Sequence, residues 1–295
     1  MVHKLVLVLA MIYVSLAGLV SLATVSRADG PPIGYEVPMI FTLVGGQTIL
    51  DQIATWPDGY IMNRDTIMIS KPQFTAAQHL TEVNQLADNI RAEYPNVTIG
   101  VRTFGQKYMR NLKNAALSPN ITVLSYVYEP RWEYGDEPEF STDFTKTLAN
   151  YAKLESEMAA WTNQGKQIWT EPTGQGLPHR TYQGWNYAQI AQYVDVVSIQ
   201  SQRNAQEQWN GTDPNSYTDA IAQVTTDMQQ AGVAVWYMQL SIGNEVNGIP
   251  GNAAFNKVFV PWQVPSQTPG LNLWVNYQSV STEGYYFMSN WAGYR

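Results

Sequence analysis

The 295-residue chain predicts an α/β fold, a closed (β/α)8 barrel of the TIM-barrel kind, and three features carry that expectation. Short β-rich runs alternate with stretches of helical periodicity, and the alternation can be counted eight times. The β-rich runs finish on polar residues after mostly apolar inner series, as strands do when their C-terminal ends form a working face. The run Ile121–Glu129 ends in a lone carboxylate and is stopped by Pro130, which cannot donate to a sheet ladder.

The N-terminus precedes this pattern. Lys4 is followed by an apolar run from Leu5 to Ala23, and Ser26-Arg27-Ala28 places small residues around a cleavage point. Residues 1–28 are therefore expected to be a secretory signal peptide, with an extracellular mature protein. An uncleaved anchor helix is the alternative. The polar start Asp29-Gly30-Pro31-Pro32 favours cleavage, and no second long apolar run follows, so no integral membrane association is expected after signal removal. Residues 29–295 suffice for a single barrel domain.

Strands are predicted at Met39–Val44, Thr66–Ser70, Val97–Thr103, Ile121–Glu129, Gln167–Glu171, Val194–Gln200, Val233–Leu240 and Gly284–Asn290. Helices are predicted over Gln73–Tyr94 behind Pro72, over Thr142–Gln164, and over Pro214–Ala231 with Asp213 as cap. The segment Gln47–Asp65 is poorly marked. An open doubly wound sheet is the competing architecture, but no Gly-rich nucleotide fingerprint follows the first strand. The Pro-rich stretch Pro250–Pro269 is long for a connector and reads as a wall or lid over the barrel mouth.

Composition narrows the chemistry. Seventeen Lys+Arg against 24 Asp+Glu give a formal net charge of −7, which argues against nucleic acid or an anionic membrane as partner. Charged residues are 14% of the chain and neutral polar ones are abundant, which suits a neutral, hydroxylated ligand. Without cysteine there are no disulfides or thiolate metal sites. Of the histidines beyond the leader, His79 sits in a helical pattern and His179 in a Gly/Pro loop. Neither a metal nor a cofactor is expected.

Parity locates the candidate site. Alternate residues of a barrel strand point inward, so counting back from Glu129 turns Val127, Ser125 and Val123 inward. The same count puts Thr42, Ser70, Arg102, Glu171, Gln200, Gln239 and Asn290 at the inner C-terminal rim. Glu129 and Glu171 then end adjacent strands, and two carboxylates so placed are what acid/base cleavage of a glycosidic bond requires. Arg102 on the neighbouring strand is expected to pair with Glu129 and keep it the carboxylate, leaving Glu171 as the acid. The plain alternative is an Arg102–Glu129 pair that only braces the rim. Glu245, after the seventh strand, is a rival for one of the two roles. Gln200, Gln202, Arg203, Gln239 and Asn290 are candidates for sugar hydroxyls. Trp132 and Trp291 are candidates for stacking on sugar rings, together with the loop aromatics Trp185, Trp209, Trp262, Trp274 and Tyr277.

The glutamate-terminated fourth strand, the polar strand ends and the run YYFMSNWAG together resemble secreted TIM-barrel glycoside hydrolases. That resemblance is one of architecture and implies hydrolysis of a carbohydrate substrate. The sequence departs from two familiar patterns. The chitinase-type Asp-x-x-Asp-x-Asp-x-Glu has Val127 where its last aspartate would stand, and Tyr128 replaces the asparagine of the Asn-Glu pair found in the largest retaining group. A non-catalytic glycan-binding barrel, or a lyase or transferase using Arg102, Arg131 and Arg203 on an acidic substrate, are the other classes these residues admit.

Overall fold

The computed structural model describes residues 39–44, 46–129, 141–178, 180, 184–243, 247–251, 270–276 and 284–291. The expected leader lies outside them. Among the described residues no helix is long and apolar enough to cross a membrane.

Eight strands close a barrel: β1 (Met39–Val44), β2 (Thr66–Ser70), β3 (Thr98–Phe104), β4 (Val123–Tyr128), β5 (Gln167–Pro172), β6 (Val196–Ile199), β7 (Trp236–Ser241) and β8 (Gly270–Asn276). They pair in chain order, every neighbour parallel, and β8 returns to β1. This is the (β/α)8 barrel the sequence predicts, and the doubly wound alternative is excluded. The first two strands coincide with their predicted spans, and the next five differ by one to three residues at their ends.

The eighth strand corrects the prediction. Residues Tyr285–Trp291 form a helix, in which Phe287 and Met288 are buried while Tyr285, Tyr286 and Ser289 are exposed. That spacing is helical, although the aromatic content reads as strand. The true β8, GLNLWVN, sends Leu271 and Leu273 outward into the core and Asn272 inward, so its inner face is polar and its alternation is disguised.

Helices α1 (Gln47–Ile53), α2 (Ala76–Glu93), α3 (Gly105–Asn114), α4 (Phe144–Thr162), α5 (Tyr187–Ile190), α6 (Gln202–Asn210), α7 (Ser216–Gln230) and α8 (Tyr285–Trp291), with a short 3-10 helix at Gly174–Gly176, complete the described elements. In α4 the stripe Tyr151, Leu154, Met158 and Trp161 is buried, and Asp143 caps the first turn by accepting from the N–H groups of Thr145 and Lys146. Asp213 does not cap α7 as expected. Asn215 holds the cap position, and Asp213 accepts its N–H at 3.3 Å, tightening the preceding turn. His79 accepts the Thr75 N–H through Nδ1 at 3.1 Å and so closes the start of α2.

Inside the barrel the side chains lie in layers. Met68, Val123, Trp169, Val196 and Tyr237 form the lower one, with Trp169 and Tyr237 stacked at 5.8 Å. Full burial of each such large apolar group is worth roughly 1.5–3 kcal/mol. Gly100 leaves room for this layer, since a Cβ there would lie 2.6 Å from the Met68 sulfur and the Met68 side chain would have to shift. Above it comes a polar layer, and the site is built from that layer.

Candidate functional site

The polar layer is one connected network centred on Glu171, whose side chain is 2% exposed. Arg102, 1% exposed, donates through Nε to Glu171 Oε1 at 3.0 Å and through Nη1 to Ser70 at 3.1 Å. Ser125 donates to the same glutamate oxygen at 3.3 Å, and Gln239 donates to Oε2 at 2.7 Å. The network continues through Ser198 and Asn272 to Thr42. The Arg102 guanidinium also lies 4.2 Å from the centre of the Trp274 ring, a cation–π contact. A buried ion pair needs supporting hydrogen bonds, and here Ser125 and Gln239 supply them to Glu171 and Ser70 to Arg102, whose Nη2 is left without a partner among the described residues.

The expected Arg102–Glu129 pair is therefore replaced by Arg102–Glu171, and the reason is register. Ser125 stands opposite Arg102, and Val127 stands opposite Glu171. Glu129 is two residues beyond Val127, about 6.6 Å further along the strand direction. A small side chain at Ser125 lets the long arginine cross β4 to β5, so Arg102 pairs with Glu171 and not with Glu129.

Glu129 itself is half-buried and stands higher, in the wall of a cavity of ≈ 510 Å³ at the barrel mouth. Gln200, Gln202 and Arg203 line the same cavity, as the sequence suggested. Gln239 lies below it and orients Gln202, whose side-chain amide donates to Gln239 Oε1 at 2.7 Å. Gln200 donates to the main-chain carbonyl of Glu171 at 2.9 Å. Each of these bonds uses the amide nitrogen, which leaves the Gln200 and Gln202 side-chain oxygens as acceptors at the cavity. Trp274 and Phe104 supply aromatic surface there.

Other expectations fall differently. Asn290 and Trp291 belong to α8, not to a strand end; Asn272 and Trp274 hold the corresponding inward positions of β8. Trp185 is buried against Phe144, Tyr128 and Tyr187, so it is core and not a sugar platform. Trp209 packs against the core. Trp132, Arg131, His179, Glu245, Trp262, Tyr277 and the lid segment Pro250–Pro269, apart from Pro250 and Gly251, lie outside the described residues.

The sequence reading missed Arg180, Thr173, Gly174, Asn204 and Ser241 in the cavity wall. Arg180 donates to Glu207 through both terminal nitrogens and to Asn204 through Nε. Hydrogen bonds from Arg180, aided by its charge and by Arg203, hold the Glu207 carboxyl below its ordinary value, against the opposing effect of burial. These partners are far apart in sequence, so no local pattern announces them. Gly174 is fixed by proximity, since a Cβ there would come 1.8 Å from the Gln200 carbonyl oxygen. Among the described residues no group of three or more His, Cys, Asp or Glu side chains is gathered to hold a metal ion.

Fold and site together define a (β/α)8-barrel protein with a polar cavity at the C-terminal mouth. No protein-family model and no curated protein matches the chain. Among solved structures it is similar to a psychrophilic glycoside hydrolase family 10 endo-β-1,4-xylanase, with a TM-score of 0.50 and 13% identity over 82% of this chain and 86% of that one. A tamarind chitinase-like lectin aligns with a TM-score of 0.48 and 9% identity, covering 86% of this chain and 99% of that one. The 3-keto-L-gulonate-6-phosphate decarboxylase of Vibrio cholerae aligns at 0.45 with 11% identity, covering 87% and 98%. At such identities the likeness is one of fold, which hosts many unrelated chemistries.

Proposed function

We propose that this chain is a secreted glycoside hydrolase that takes a polysaccharide or glycoconjugate into the mouth cavity. Glu129 protonates the leaving oxygen as the glycosidic bond breaks, a water oxygen bonds to the anomeric carbon in its place, and the water's proton passes to Glu171 beneath. This order of roles is the reverse of the one the sequence alone suggests. The observation that carries it is vertical: a half-buried glutamate in the cavity wall stands two residues above the level of one held by Arg102, Ser125 and Gln239. Cleavage of a glycosidic bond uses two carboxyl groups in different roles, and one of these glutamates lines the cavity while the other is held beneath it. The side-chain oxygens of Gln200 and Gln202 accept from sugar hydroxyls, and Trp274 offers a face for a ring.

The test is reducing-end release from a panel of polysaccharides by the wild-type protein, Glu129→Gln and Glu171→Gln. Turnover by wild type and its loss in Glu129→Gln is expected, with glycan affinity retained. Unchanged turnover in Glu129→Gln would refute the assignment. One observation favours a second reading, a barrel that binds glycan without cutting it: Glu171 is 2% exposed and does not reach the cavity wall. In that case wild type binds glycan and releases no reducing ends. Secretion is tested by sequencing the N-terminus of exported protein, which should begin at Asp29.

A further inference from the structure

The side of the mouth cavity around Arg203 carries donors that have no acceptor among the described residues. Arg180 and Glu207 match charge for charge through a two-point contact, and Arg180 is only 6% exposed. Arg203 adds a second positive charge to the same carboxylate but uses Nε alone, at 3.1 Å. Its two terminal nitrogens have no protein acceptor among the described residues, and its side chain is 57% exposed on the cavity wall. Pinning Nε while leaving the outer fork open presents the pair of N–H groups that fits a carboxylate in two-point fashion.

Two further donors in the same wall are unpartnered. Ser241 is 1% exposed and its buried hydroxyl has no partner among the described residues; the buried Trp274 indole nitrogen, which can only donate, has none there either. The start of α6 adds to this. Ser201, at its cap position, donates its hydroxyl to the Gln239 carbonyl and makes no capping bond, so the positive end of a nine-residue helix is left open beside Arg203. A sugar hydroxyl brings a proton that itself needs an acceptor. A carboxylate oxygen brings none, and is the better complement to surplus donors.

We propose that the glycan taken by this cavity carries a uronic acid, and that Arg203 is the residue that binds its carboxylate. The inference rests on the reading of the cavity as a glycan site. It assigns the two sides of that cavity different work: the Gln200 and Gln202 oxygens accept from sugar hydroxyls, and the Arg203 side holds the acid. The chain's net charge of −7 does not oppose this, because distant negative charges are screened in physiological salt.

The experiment is calorimetric titration of the full chain with galacturonate and glucuronate oligosaccharides and with their methyl esters, which remove the charge and keep the sugar. Binding of the acid should exceed that of the ester by about tenfold or more, as a charge-assisted two-point contact implies. Arg203→Gln should erase the difference by lowering acid affinity to that of the ester, and Arg203→Lys should restore part of it. Because this side chain is exposed, the melting temperature should stay unchanged and serves as the folding control. Equal binding of acid and ester, a preference that survives Arg203→Gln, or tighter binding of sulfated than of uronate oligosaccharides would overturn the proposal. Equal binding leaves the glycan reading of the cavity standing; no binding to any glycan overturns both.

Discussion

Removing Arg102 should reveal how much of the barrel's stability depends on its buried charge pair. In Arg102→Met, Glu171 keeps its bonds from Ser125 and Gln239 but loses the 3.0 Å bond from Nε together with its counter-charge. Ser70 loses a donor, and the Trp274 ring loses the cation stacked upon it. Stranding one partner of a buried pair typically costs about 3–5 kcal/mol. For a chain of this size that corresponds to a fall in melting temperature of roughly 6–20 °C. The informative comparison is the cycle of Arg102→Met, Glu171→Gln and the double variant, followed by thermal and urea unfolding. In the double variant the stranded charge is gone, so its loss should be smaller than the sum of the single losses by about 1–3 kcal/mol. Strictly additive losses would refute the coupling and reduce Arg102 to a packing residue. If Arg102→Met folds too poorly to measure, Glu171→Gln beside the double variant still closes the argument, since the double should be the more stable of the two.

Further predictions concern the wall and the shell. Glu207 is held below its ordinary value near 4.5, so its bonds to Arg180 stabilise the fold above that pH and are lost as pH falls through the lowered value. The stability gap between wild type and Glu207→Gln in urea should therefore be constant near neutrality and close on acidification. Burial raises the phenols of Tyr126, Tyr151, Tyr187, Tyr217 and Tyr237. The stability they contribute is complete below pH 10.0 and declines above it, so their phenolate absorbance should appear only with alkaline unfolding, and a gradual appearance in the folded protein would contradict their burial. Gly174→Ala should cost about 1–3 kcal/mol and weaken glycan binding, because the loop must move off the Gln200 carbonyl, and unchanged binding would detach that loop from the site.

Much of the barrel is legible in the chain. The β1 and β2 runs, the stripe of α4 and the inward parity of Thr42, Ser70, Arg102, Ser125, Glu171 and Gln239 follow from local periodicity, because a strand alternates faces and a helix repeats every 3.6 residues whatever surrounds it. The same local rules fail at the last strand. Aromatic Tyr285–Trp291 carries strand propensity but packs as a helix, and GLNLWVN hides its alternation because its inward residues are asparagine and tryptophan. Which glutamate Arg102 meets is beyond any local rule. Strands of a closed barrel are staggered, so neighbours in order are not neighbours in height. That stagger sets Glu171 opposite Val127 and lifts Glu129 into the mouth. The inner face of each strand is thus a property of the sequence, while the level at which its side chains meet is decided only when the barrel closes.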